Sequence, residues 1–78
     1  MSLTGLVTTI AKALVDEPDE VEVNEVTEGN GSTLQLRVAK SDIGKVIGKD
    51  GRTAQSIRAV LAAAAQKVGR RAQLDILD

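Results

Sequence analysis

Apolar residues recur in this chain with two different periods, and the order in which those periods alternate leaves few folds open. Leu3, Leu6, Val7, Ile10 and Leu14 fall at helical spacing, with Thr8, Thr9 and Lys12 on the other side. This predicts an amphipathic helix from Thr4 to Val15, ended by Pro18. Val21 and Val23 then alternate with Glu20, Glu22 and Asn24, the period of a half-buried strand. Val26 falls out of phase and predicts a bulge or a strand end. The stretch EGNGS, Glu28 to Ser32, holds two glycines and an Asn, which supply the positive φ angles of a hairpin connection. Beyond it Leu34, Leu36 and Val38 face one way and Gln35, Arg37 and Ala39 the other.

Ser41 or Asp42 is positioned to cap a short helix running through Ile47, which Gly48 stops. A longer helix follows, with Ala54, Ile57, Leu61, Ala64, Ala65 and Val68 on one face and Gly69 as its stop signal. In RAQLDILD, Ala72, Leu74 and Ile76 alternate against Gln73, Asp75 and Asp78, with Leu77 out of phase; this predicts a third strand. The order helix, strand, strand, helix, helix, strand, with no linker or repeat between elements, describes one α+β domain over residues 1–78. Helices covering one face of a small sheet would bury all of these stripes together.

The core must be aliphatic, because the 78 residues include no Phe, Tyr or Trp. A domain of this size buries only about 60% of the surface its unfolded chain exposes, so dimerisation or a partner subunit would add useful stability. Neither Cys nor His occurs, which removes disulfides, the usual zinc ligands, a thiol nucleophile and a histidine base. No cofactor is implied, and an enzyme is not expected. The longest nearly apolar stretch, Ala59 to Ala65, is far too short to span a bilayer, and the N-terminus lacks a basic region before an apolar run. The expectation is a soluble, cytoplasmic protein with no membrane partner.

A net charge of −1 conceals a marked polarity. Asp16 to Glu28 contains seven acidic residues and no basic one, whereas Ile43 to Arg71 contains seven basic residues against the single Asp50. That half of the chain is suited to an anionic partner. The glycines sharpen this. GKDG, residues 48–51, separates two glycines by two residues where one helix hands over to the next. Glycine there permits backbone angles closed to other residues and removes the Cβ that would hold a sugar-phosphate chain away. The start of the helix from Arg52 offers unpaired backbone N–H groups to an anion. Lys45, Lys49 and Arg52 add charge, and apolar Ile43, Val46, Ile47 and Ile57 lie beside the loop, some to face the core and others to floor a groove for unstacked bases.

VIGKDGRTAQSI, Val46 to Ile57, resembles the signature of the KH (K-homology) domain, an Ile-Gly-x-x-Gly loop between two helices followed by an Ile on the second. The element order resembles the type II arrangement of that family, in which an extra helix and strand precede the strand-helix-helix-strand core. The resemblance covers nearly the whole chain, with its specific part between Ile43 and Arg58. It implies a three-stranded mixed sheet, order α-β-β-α-α-β, with helices packed on one face. It also implies that Gly48, Lys49, Asp50 and Gly51 clamp the backbone of about four nucleotides of single-stranded RNA. Lys45 and Arg52 would contact phosphates; Ile43, Val46 and Ile47 would serve the groove or the packing, and Ile57 the core. With Gly44 and Thr53 these make a binding segment from Ile43 to Thr53. Single-stranded DNA is the alternative strand, because no residue can be assigned to a 2′-hydroxyl from sequence. Free-standing members resembling this chain act in the cytoplasm as homodimers or pair with a second KH-containing protein. They are associated with RNA chaperone activity and with cell elongation and division.

Other readings of the same residues carry less weight. A Gly-x-x-Gly turn alone is ordinary helix punctuation. GKVIGKD fails as a nucleotide-binding P-loop, since three residues rather than four separate Gly44 from Gly48 and Asp50 replaces the Ser or Thr that would hold Mg²⁺. The acidic run from Asp16 to Glu28 has no nucleophile beside it and reads as the solvent face of a first strand. The alanine-rich stretch Ala59 to Val68 is either a thin helix for close subunit approach or simply good helix sequence. Arg70 and Arg71 either extend the basic surface or aid solubility. Asp50 leaves the clamp neutral in sum, and the short link Val68 to Arg71 adds little room for base-specific contacts, so weak and broadly selective binding is expected. The alternative function is a protein-interaction adaptor whose RNA contact is incidental.

Overall fold

A computed structural model describes residues 2–78 of the chain. Helix α1 runs from Leu3 to Leu14, followed by strands β1, Glu22–Glu28, and β2, Gly31–Arg37. Helix α2 spans Ile43–Ile47 and α3 spans Arg52–Lys67. Strand β3, Arg71–Ile76, completes the order α-β-β-α-α-β. The sheet order is β1-β2-β3; β1 and β2 are antiparallel, whereas β2 and β3 are parallel. The β2-α2-α3-β3 crossover is what parallel neighbours require, because a short turn cannot join them.

Each helix starts and stops for a local reason. Ser2 Oγ accepts the Gly5 N–H at 3.0 Å and caps α1, a standard role for serine. The helix stops at Leu14, one residue short of the expected end, as Val15 turns extended (φ −94°, ψ 160°). Pro18 lies beyond that break and instead opens a short 3₁₀ turn, Pro18–Glu20, where its fixed φ and missing N–H are tolerated. At the end of α3, Gly69 takes φ +69° while its N–H bonds to Gln66 O and that of Arg70 to Ala65 O. This is the Schellman closure that a left-handed glycine allows. Val68 follows the last helical residue and is 57% exposed, so it leaves the apolar face on which its spacing had placed it.

The helices and sheet share one aliphatic core. Leu34, Leu36, Val46, Leu61 and Ala65 are fully buried, and Val7, Ile57 and Leu74 are nearly so. Each large side chain so placed contributes roughly 1.5–3 kcal/mol relative to exposure. Cross-strand register puts Val23 opposite Leu36 and Glu25 opposite Leu34, so β1 presents Glu25 on the helix-covered face.

That register corrects the expectation at Val26. Pairing continues without a bulge from Glu22 to Glu28, and Val26 lies on the uncovered face, 45% exposed. The phase change belongs to the side chains rather than the backbone: Glu25 is accommodated because Ser32 and Thr4 donate hydrogen bonds to its carboxylate at 2.7 and 3.1 Å. These bonds hold its carboxyl below the usual range, with Ser32 the larger cause.

Candidate nucleic-acid interface

The two glycines of the loop are needed for different reasons. Gly48 ends α2 with φ 76° and ψ 172°, a region essentially closed to other residues. A Cβ there would meet the Thr53 side chain and come within 2.9 Å of the Thr53 backbone nitrogen. Thr53 therefore acts by packing against Gly48 at the start of α3. Gly51 takes φ 74° and ψ 11°, but a Cβ on it would meet nothing within 4 Å; its requirement is conformational only. Between them Asp50 is the one described non-glycine with positive φ (57°), a conformation Asp tolerates through its short polar side chain. The Gly51 N–H donates to Gly48 O at 3.1 Å and closes the turn.

This turn leaves Lys49, Asp50 and Arg52 exposed, and no side chain caps α3. Among the described residues the ion pairs all involve Lys45, not Lys49 or Arg52. Lys45 Nζ lies 3.3 Å from Asp16 Oδ2 and 3.7 Å from Asp42 Oδ1, and its pKa is raised, chiefly by the hydrogen bond to Asp16. Lys45 is thus paired with two carboxylates beside the turn.

Asp42 shows why. It occupies the residue before α2, yet its side chain does not cap that helix; Ser41 is exposed and makes no such bond either. The Asp42 carboxylate is fully buried and accepts the backbone N–H groups of Asp16 and Glu17 at 3.2 and 3.0 Å. Burial of a charge is tolerable only with such partners. The short helix carrying the loop is therefore tied to the connection between α1 and β1, some 25 residues earlier.

Apolar members of the predicted segment divide by depth. Val46 is fully buried and Ile57 nearly so, making both core residues. Ile43 packs half-buried against the core, Gly44 is exposed on α2, and Ile47 is 38% exposed. Ile47 and Gly51 border a cleft of about 320 Å³, with Ala54, Gln55 and Arg58 from α3 and Asp75 and Ile76 from β3. Sequence reasoning passed over the last five as a site. Gln55 and Arg58 were within reach, since positions 51, 55 and 58 share one helical face. Asp75 and Ile76 were not, because only the parallel pairing of β3 with β2 brings them there.

A short helix, a Gly-x-x-Gly turn and a longer helix, set between parallel strands and preceded by an extra helix and strand, define a KH domain of the type II arrangement. Residues 4–76 match the family described as "KhpA/KhpB, KH domain". The chain belongs to that family. It is 53% identical over 73 residues to the RNA-binding protein KhpA of Halalkalibacterium halodurans, covering 94% of this chain and 96% of that protein. Against the RNA-binding protein KhpA of Borreliella burgdorferi it is 55% identical over 74 residues, covering 94% and 89%. The fold also matches Era bound to nucleotides 1506–1542 of 16S ribosomal RNA and to MgGDPNP, with TM-score 0.64 at 22% identity over 95% of this chain. Only 28% of that Era chain is covered, and the likeness is one of fold.

Proposed function

We propose that this chain binds single-stranded RNA by gripping its sugar-phosphate backbone with the turn Gly48-Lys49-Asp50-Gly51. The observation that carries the reading is the turn itself: two positive-φ glycines keep side chains off the surface while Lys49 and Arg52 stand exposed, with no ion-pair partner among the described residues, at a helix start that no described side chain caps. A phosphate placed there would meet the Lys49 and Arg52 cations and the positive end of α3, while the Gly51 and Arg52 N–H groups are already bonded to the Gly48 and Lys49 carbonyls. The adjoining cleft, apolar at Ile47, Ala54 and Ile76, gives unstacked bases a floor without aromatic rings. No catalytic step is required. Lys45 contributes little on this reading, because Asp16 and Asp42 occupy it.

Membership of the KhpA/KhpB family supports a wider role as a cytoplasmic RNA chaperone or post-transcriptional regulator affecting cell shape. It equally supports assembly as a homodimer or with a KhpB-like protein. The decisive experiment is fluorescence anisotropy of a labelled single-stranded RNA pool at low and near-physiological salt, with native protein and Lys49→Asp, both verified as folded by circular dichroism. Native binding that weakens with salt and is absent in Lys49→Asp is the expected result. Equal binding by both, or by neither, would refute the clamp and favour the adaptor.

A further inference from the structure

The sheet edge remote from the glycine turn is open. Strand β1 has a neighbour on one side only, and six of its seven residues are exposed. The two-residue link Gly29-Asn30 makes Glu28 and Gly31 a mutually hydrogen-bonded pair, and bonded and unbonded pairs then alternate along the ladder. Glu22, Asn24, Val26 and Glu28 therefore bond inward to β2, whereas the backbone N–H and C=O groups of Val23, Glu25 and Thr27 point outward. None of those outward groups meets a backbone or side-chain partner among the described residues. Such an edge is commonly blunted by a Pro, a bulge or a lysine, and β1 has none of them.

We infer that this edge takes up an extended basic segment of a partner protein as a fourth, antiparallel strand. Charge selects that occupant. On the uncovered face Glu22 and Glu28 flank Asn24 and Val26; neither glutamate has a side-chain hydrogen bond or an ion pair among the described residues, and Val26 is 45% exposed. A second copy of β1 related by a two-fold axis would set Glu22 opposite Glu28 and Glu25 opposite itself, and like charges directly opposite are destabilising. Seven acidic residues between Asp16 and Glu28, with no basic one, likewise turn a nucleic acid away. A strand with Lys or Arg opposite both glutamates and an aliphatic residue opposite Val26 makes every one of these contacts favourable. Running antiparallel, it carries a basic residue, an aliphatic one two positions on, and a second basic residue four positions beyond that. Glu25 makes no demand on it, because Ser32 and Thr4 already hold that carboxylate. The edge lies across the sheet from β3 and the cleft beside the turn, so the added strand and an RNA would occupy different surfaces.

The test titrates the isotope-labelled chain with the end-blocked peptide Lys-Thr-Val-Thr-Asn-Thr-Lys, and with its counterpart carrying Glu at both ends, while NMR follows amide shifts and hydrogen exchange. The basic peptide should slow exchange at the Val23, Glu25 and Thr27 amides and leave Asn24 and Val26, already bonded to β2, as they were; the acidic peptide should do neither. Glu22→Lys combined with Glu28→Lys should weaken the basic peptide about tenfold or more and admit the acidic one. Both positions are exposed, so this variant should fold, as circular dichroism would verify. Thr27→Pro removes one outward N–H and spares the ladder to β2, and it too should weaken the basic peptide. Absence of binding, binding without protection of the three outward amides, or binding that survives the charge reversal overturns the fourth strand. Protection of the same amides in the chain alone as its concentration rises would assign the edge to a second copy and overturn the basic partner.

Discussion

Replacing Gly48 with alanine should be far more damaging than the same change at Gly51, although both glycines belong to one turn and both have positive φ. At Gly48 two penalties combine. The backbone at φ 76°, ψ 172° lies in a region essentially restricted to glycine, at a cost of about 1–3 kcal/mol for another residue. The new Cβ would also sit 2.9 Å from the Thr53 backbone nitrogen and closer still to its side chain. Forcing atoms into such a contact costs roughly a further 1–3 kcal/mol. The backbone nitrogen cannot be moved by choosing another rotamer, so the strain must spread into the first turn of α3. The expected total is about 3–5 kcal/mol, a large share of the roughly 4–12 kcal/mol typical of a domain this long. At Gly51 the space is empty and the angles are left-handed helical, so the cost should be about 1–2 kcal/mol. Urea unfolding followed by circular dichroism separates the cases, and thermal midpoints should fall by roughly 4–8 °C per kcal/mol. Equal destabilisation by the two variants would show that packing against Thr53 is not what fixes the turn.

Three further outcomes are expected. Asp42→Asn should cost roughly 3 kcal/mol, because it removes the charge that accepts the Asp16 and Glu17 N–H groups and pairs with Lys45; a loss below about 1 kcal/mol in the same urea titration would mean that the link between α2 and the α1-β1 connection is dispensable. Glu25 has a lowered folded-state pKa, so its contribution is fully present above its ordinary value of 4.5 and disappears as pH falls through the lower folded value. Glu25→Gln should therefore flatten the acid limb of a stability-pH profile below about pH 4.5 and leave its slope near neutrality unchanged. Asp50→Asn keeps a residue suited to φ 57° while removing the negative charge from the turn; RNA should bind several-fold tighter with unchanged stability, and an unaltered affinity in anisotropy would place the strand away from this side chain.

Much of the architecture was legible because it is encoded within a few residues. The stripes of α1 and α3, the alternation of β2 and β3, and the glycine stops at positions 48 and 69 follow from spacing and φ alone. The loop was equally visible, as a turn needing two glycines is written in four consecutive letters. Misreadings arose where a distant residue settled a local ambiguity. Val26 suggested a break, but Thr4 and Ser32 satisfy Glu25 and let the strand continue. Asp42 had the identity of a helix cap, but N–H groups 25 and 26 residues earlier claimed it. The sequence did not foretell that Lys45 would pair with Asp16 and Asp42 either, since Asp16 lies on a connection far along the chain.

The sequence by itself determined the elements, their order and the exposed glycine turn, because backbone angles and hydrophobic period are properties of neighbours along the chain. Tertiary structure alone decided which charges are ion-paired and where the cleft beside the turn lies. Arg58 and Asp75 share one cleft only because the crossover from β2 lays β3 parallel beside it, under α3. Such meetings depend on packing between segments far apart in the chain, and a local pattern does not specify them.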